Sequence, residues 1–164
     1  MIKISYYKAV QGRLPKAFCM IAEKCYHNDI KIFVYTKSEK YTFELDTVLW
    51  TYSRKQFIPH STIHDLLPEK QSILIGSELK NLSHYSAMII VNASENMLIS
   101  MLLSERNLFI KQYTRLFFLY DDNILLSSKN IKDVLSKFLE QEFEFKSFLQ
   151  NDNNSWQAQN VVDQ

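Results

Sequence analysis

The sequence predicts an α/β fold: a single three-layer domain with a mostly parallel central sheet and helices on both faces, Rossmann-like in topology without a nucleotide site. Three observations predict it. Short β-prone runs alternate with segments of helical periodicity, the pattern of βαβ units. The internal strands, such as Ile73-Leu74-Ile75 and Met88-Ile89-Ile90-Val91, are continuous apolar runs, as a sheet covered on both faces requires. The chain has 164 residues, 46% hydrophobic and 23% charged, which suits one domain with one real core.

The elements follow in order. Lys3 to Tyr7 reads as a first strand, and Gln11-Gly12-Arg13-Leu14-Pro15 as a loop whose Pro15 suits the first turn of a helix. From Lys16 to His27 the residues Ala17, Phe18, Ile21, Ala22 and Cys25 recur at helical spacing, and Asn28-Asp29 ends that helix. Ile30 to Thr36 is a compact apolar strand. Ser38 is a plausible N-cap for a helix from about Glu39 to Trp50, whose apolar content is Phe43, Leu45, Leu49 and Trp50. Ile58-Pro59 is extended, because the residue before a proline avoids helix. Ser72 to Gly76, Ala87 to Asn92 and Arg115 to Tyr120 read as strands, Ser100 to Tyr113 and Asn130 to Phe148 as helices. The domain is expected over residues 1–150. Residues 151–164, polar and rich in Asn and Gln, are expected to form a disordered tail.

Composition narrows the function. A net charge of +1 creates no global field towards nucleic acid. Cys19 and Cys25, six apart on one helix, are expected to be reduced and buried, which suits a cytoplasmic protein. No basic segment followed by an apolar run opens the sequence, and no run approaches the length of a membrane span.

Catalytic and cofactor patterns are sparse. The loop after the first strand holds one glycine, and no Gly-Lys-Ser/Thr occurs, so nothing lets a phosphate approach the backbone closely. No cofactor is expected. His60 and His64 are four apart and would share a helix face, but no third metal ligand is evident. His27 beside Cys25 reads as a helix C-terminus, where a cationic side chain is favourable. Asp121-Asp122 close a strand at the position of many α/β active sites, and are also ordinary loop residues. They supply the alternative reading, a small metal-dependent α/β hydrolase or nuclease-like enzyme using Asp121, Asp122 and His60.

The most informative stretch is Leu45-Asp46-Thr47-Val48-Leu49-Trp50, followed by Phe57-Ile58-Pro59-His60. Trp50 closes its helix beside Thr51, Tyr52, Ser53, Arg54 and Lys55, and Trp, Tyr and Arg are enriched at protein interfaces. Aromatics at helical spacing are also common in cores. From the residues alone the two readings stand level.

That spacing resembles the chi subunit of bacterial DNA polymerase III holoenzyme. The context agrees in outline over residues 1–122: the Tyr6-Tyr7 strand, the helix with Ile21-Ala22-Glu23-Lys24, the strand Lys31 to Tyr35, the turn at Ser38-Glu39-Lys40, and the strands at residues 73–75, 89–91 and 118–122. The resemblance implies a non-catalytic protein that pairs with the small psi subunit and through it joins the clamp-loader complex. It also implies a grip on the acidic, Phe-ending tail of single-stranded DNA-binding protein, with DNA reached only indirectly and no membrane. By position, Leu49, Trp50, Phe57, Pro59 and His60 would face psi, and a helicase-like protein would share that surface. In the family the tail site is a basic C-terminal helix. Here that helix starts with Lys129, Lys132 and Lys137 and is expected to turn acidic at Glu140, Glu142 and Glu144. These lysines, with Arg115, are the candidate tail contacts, against a plain solvated helix face.

Overall fold

A computed structural model describes residues 1–53, 57–65, 71–79, 84–104, 112–121 and 126–160. They form β1 (Ile2–Lys8), α1 (Leu14–His27), β2 (Ile32–Tyr35), α2 (Glu39–Tyr52), β3 (His60–Thr62), β4 (Ile73–Gly76), β5 (Ala87–Val91), α3 (Glu95–Ser104), β6 (Arg115–Tyr120), α4 (Ser128–Phe138), β7 (Phe143–Gln150) and β8 (Trp156–Gln159). The strands make one sheet in the order β3-β4-β2-β5-β6-β1-β7-β8, parallel throughout except for the antiparallel pair β7–β8. The α/β three-layer architecture is the one the sequence predicts.

Strand alternation sorts the core into two halves. Ile4, Tyr6, Phe33, Met88, Ile90, Leu116, Phe118 and Tyr120 pack under α3 and α4. Ile32, Val34, Ile73, Ile75, Ala87, Ile89, Val91 and Leu119 pack under α1 and α2. The central strands are therefore apolar at every position, which is why they read as unbroken runs.

Local chemistry sets the element ends. Pro15 lies in the first turn of α1, where a missing N–H costs nothing. At the other end Asn28 N–H donates to the carbonyls of Lys24 and Cys25, and Asp29 turns left-handed at φ 55°. Ser38 caps α2, its hydroxyl accepting from Tyr41 N–H at 3.1 Å. Both cysteines of α1 are free and buried. Burial pushes the thiol of Cys19 up to about 12 and that of Cys25 up to about 11.

Three expectations fail. The helix placed at Ser100 to Tyr113 is instead Glu95–Ser104; Gln112 and Tyr113 are not helical, and residues 105–111 lie outside the described ones. The long helix from Asn130 to Phe148 stops at Phe138, and Phe143–Gln150 is a strand beside β1. Its alternation sends Phe143 and Phe145 into the α3/α4 core and Glu144, Lys146 and Phe148 to the other face. Glu and Lys, good helix formers, mask that period of two in the sequence. The polar segment after 150 is not a disordered tail as far as it is described. Ser155 N–H and hydroxyl both donate to Asn151 Oδ1, closing a turn, and Trp156–Gln159 pairs back on β7. The sheet thus runs on past the expected boundary at residue 150; residues 161–164 lie outside the described ones.

The loop after β1 is held by its neighbours. Ala9 N–H donates to Tyr120 O at 2.7 Å, Val10 N–H to Gln150 Oε1 at 3.0 Å, and Arg13 to Asp152 O at 2.9 Å. Gly12, at φ 85°, makes the turn.

Candidate interaction surface

Helix α2 carries two stripes. Thr42, Leu45 and Leu49 are buried against the sheet, and Thr42 Oγ1 lies 2.7 Å from Thr36 Oγ1. On the outer side Phe43 and Trp50, seven residues apart, point into solvent, 46% and 58% exposed. Phe57, 54% exposed, lies against Trp50 with ring centroids 5.1 Å apart. Large rings this exposed are unusual on a folded surface, and here Trp50 and Phe57 form a contiguous pair.

Beneath them lies His60, the first residue of β3, its side chain fully buried. Its ring meets Trp50 edge-on at 5.0 Å and Phe57 at 5.8 Å. Because a carbonyl can only accept, His60 Nδ1 carries a proton and donates to Ile58 O at 2.7 Å. Nε2 faces Asp46 Oδ1 at 3.3 Å, too poorly directed for a hydrogen bond. The Trp50 side chain, four residues on along the helix, also favours the charged form of the same carboxylate. His60, tied to the Ile58 carbonyl, therefore underlies the Trp50–Phe57 pair through ring contacts. Burial raises the Asp46 carboxyl above its ordinary value, with His60 pulling it back down.

The expected surface residues thus fall into two layers. Trp50 and Phe57 are presented, Pro59 is half-buried beside them, and Leu49 and His60 are buried supports. Two contributors were missed in the sequence: Asp46, which lies in the recognised string but faces the buried His60 ring, and Phe43, which stacks on His64 at 5.5 Å. The seven-residue spacing of Phe43 and Trp50 was the available signal.

The other candidates lie elsewhere. Arg115 opens β6 on the α1 side of the sheet, whereas Lys129, Lys132 and Lys137 are on α4 across the sheet, so the expected four-residue tail set is not brought together. On that helix Lys132 and Lys137 diverge by about 140°. Lys137 lies over the Phe138 ring at 5.3 Å. The expected acidic half of the helix is absent: Glu140 and Glu142 follow its end, and Glu144 is on β7, 3.2 Å from Lys146.

The enzymatic constellation is not assembled either. His60 begins β3 and Asp121 follows the end of β6, four strand positions away at about 4.8 Å each, so they sit at opposite ends of a parallel array. Asp121 is buried, with its N–H donating to Asn92 Oδ1, and Asp122 lies outside the described residues. His60 and His64 share no helix; His64 pairs with Glu39 at 3.4 Å. Among the described residues no group of three or more His, Cys, Asp or Glu could hold a metal ion, and no helix is long and apolar enough to cross a membrane.

Comparison with known proteins agrees with the resemblance. The family described as "DNA polymerase III chi subunit, HolC" matches residues 1–130. A relative from Rickettsia prowazekii (strain Madrid E), named "Probable DNA polymerase III subunit chi", is 33% identical over 156 residues, covering 95% of this chain and 91% of that protein. The chain belongs to the DNA polymerase III chi subunit family.

Proposed function

We propose that this member of the chi family acts as a non-catalytic accessory subunit in the cytoplasm, bridging the clamp-loader complex, through psi, to single-stranded DNA-binding protein. The observation that carries the reading is the Trp50–Phe57 pair, exposed yet backed from below by the buried His60 ring. Aromatic anchors of fixed geometry lose little conformational freedom on binding, which is how hot spots gain their energy. Psi is the occupant proposed for this surface, and a helicase-like protein would compete for it. Titration calorimetry with psi from the same host tests the assignment. Trp50→Ala and Phe57→Ala should each abolish detectable binding while circular dichroism stays unchanged. Unchanged affinity, or unfolding of both variants, would sink it.

The tail of single-stranded DNA-binding protein is assigned to Lys129, Lys132 and Lys137 of α4, without Arg115, which faces the other way. An acidic, Phe-ending peptide should bind at micromolar strength or weaker and loosen as salt rises. Binding indifferent to salt, or to Lys132→Ala with Lys137→Ala, would move the tail to another surface.

A further inference from the structure

The sheet is unevenly covered. On the α3/α4 side, Ile4, Tyr6, Leu116, Phe118 and Tyr120 of strands β1 and β6 are at most 3% exposed. On the other side the same region, with β7, presents Ser5, Tyr7, Phe117 and Phe148, all only half-buried. Helix α1 borders this area through Lys24 and Asn28, and Trp156 of β8 meets Tyr7 edge-on at 5.0 Å on the opposite flank. Two pockets of about 240 and 480 Å³ share Ser5, Arg115 and Phe117 and form one groove across three strands.

The groove has two rows. Arg115 on β6, Lys3 on β1 and Lys146 on β7 are exposed cations from neighbouring strands, in a register that pairs Lys3 with Arg115 and Ser5 with Lys146. Lys24 of α1 adds a fourth. Among the lining residues the single carboxylate, Glu144, is paired with Lys146. Next to this basic row stands an aromatic one. Tyr7 is flanked by Phe148 at 5.0 Å and 14° and by Phe117 at 6.3 Å and 30°.

We propose that this groove binds single-stranded nucleic acid, with phosphates along Arg115, Lys3 and Lys146 and bases against the Phe117–Tyr7–Phe148 row. With strands about 4.8 Å apart, the cation row spans roughly 10 Å, enough for two or three backbone phosphates. The rings are nearly parallel, so a planar base extends their stack, and the larger pocket between Phe117 and α1 has room for one. Cations that track a backbone beside rings that take any base are the recurring solution for sequence-tolerant single-strand binding. An acidic peptide without aromatic residues would use the cations and leave the ring row without a matching partner, and one ending in Phe would offer that row a single ring where successive bases offer several. The inference stands on the sheet geometry and does not depend on the psi or tail assignments.

Fluorescence anisotropy of a labelled oligo-dT with the full chain at low salt tests it. We expect binding that weakens with a log–log salt slope of about −1.4 to −2.1, as two to three neutralised single-strand phosphates require. A duplex of equal length should bind several-fold more weakly. Arg115→Ala with Lys146→Ala should cost at least tenfold and Phe148→Leu severalfold, while Lys132→Ala with Lys137→Ala on the far side of the sheet and Trp50→Ala leave it unchanged. All four cations replaced are at least partly exposed, so the fold is expected to survive. No oligonucleotide binding, equal binding of the duplex, or an equal loss in the far-side variant overturns the proposal. Binding of poly-glutamate through Arg115 and Lys146 without oligonucleotide binding overturns it in favour of an acidic peptide.

Discussion

The two tryptophans of this chain lie near opposite edges of one sheet and behave differently. Trp50 lies in the last turn of α2 beside edge strand β3 and leaves more than half its surface in water, with the buried His60 ring edge-on beneath it. Trp156 starts edge strand β8 and lays its ring against Tyr7 in the α1-side core. An interface anchor needs an orienting contact beneath it and open space above. A closing residue needs an apolar surface to cover. The difference lies in what each indole meets, not in the residue type.

Substitution separates the two roles. Trp50→Ala should cost partner affinity by about 2–4 kcal/mol, the scale of a hot spot, and shift the melting temperature little. Trp156→Ala should do the reverse: partner affinity holds, and stability falls by about 1.5 kcal/mol, roughly 3–6 °C in melting temperature for a chain of this size. Calorimetry and thermal melts on both variants check this, and equal thermal losses would erase the distinction.

A finer break concerns the support under Trp50. Asp46→Ala removes the carboxylate beside His60 and Trp50 and should weaken the partner by about 1 kcal/mol, whereas Asp46→Asn, of the same shape, should retain most of the affinity. The same carboxyl has a pH signature. Because its folded value is raised, its contribution to stability is fully present below the ordinary value of 3.8 and is lost as pH rises through the folded value. Urea melts across that window should show this slope in the wild type and lose it in Asp46→Asn.

The smallest effect lies in the core between the two edges. With folded values of about 12 for Cys19 and 11 for Cys25, both thiols should resist a disulfide reagent at mildly alkaline pH until the chain is unfolded. Their share of stability is complete below the ordinary thiol value of 9.0 and declines as pH climbs through 11 to 12. Rapid labelling of native protein would show that α1 opens locally.

Much of the fold was legible in sequence because it is written in local patterns. Apolar runs mark strands β2, β4, β5 and β6, and Pro15 and Ser38 mark helix starts. The Trp50…Phe57 spacing marks the family. Two of the three failures, at β7 and β8, share one cause. Phe143 to Gln150 pairs with β1, more than 130 residues away in sequence, and Trp156 to Gln159 pairs with β7 in turn. Nothing local in a stretch rich in Glu, Lys, Asn and Gln announces those partners, so helix propensity and polarity dominate the reading.

The residues alone determine the α/β class, the helix starts and the aromatic string, because periodicity and capping act within a few residues of chain. They leave open whether Trp50 and Phe57 are core or surface, and they group Arg115 with lysines it never meets. The folded sheet settles both. Asp46 and Leu49 share a helix with Trp50 yet turn to different sides, and strand alternation sends Arg115 away from α4. A side chain's neighbours depend on which face it occupies once the layers are stacked.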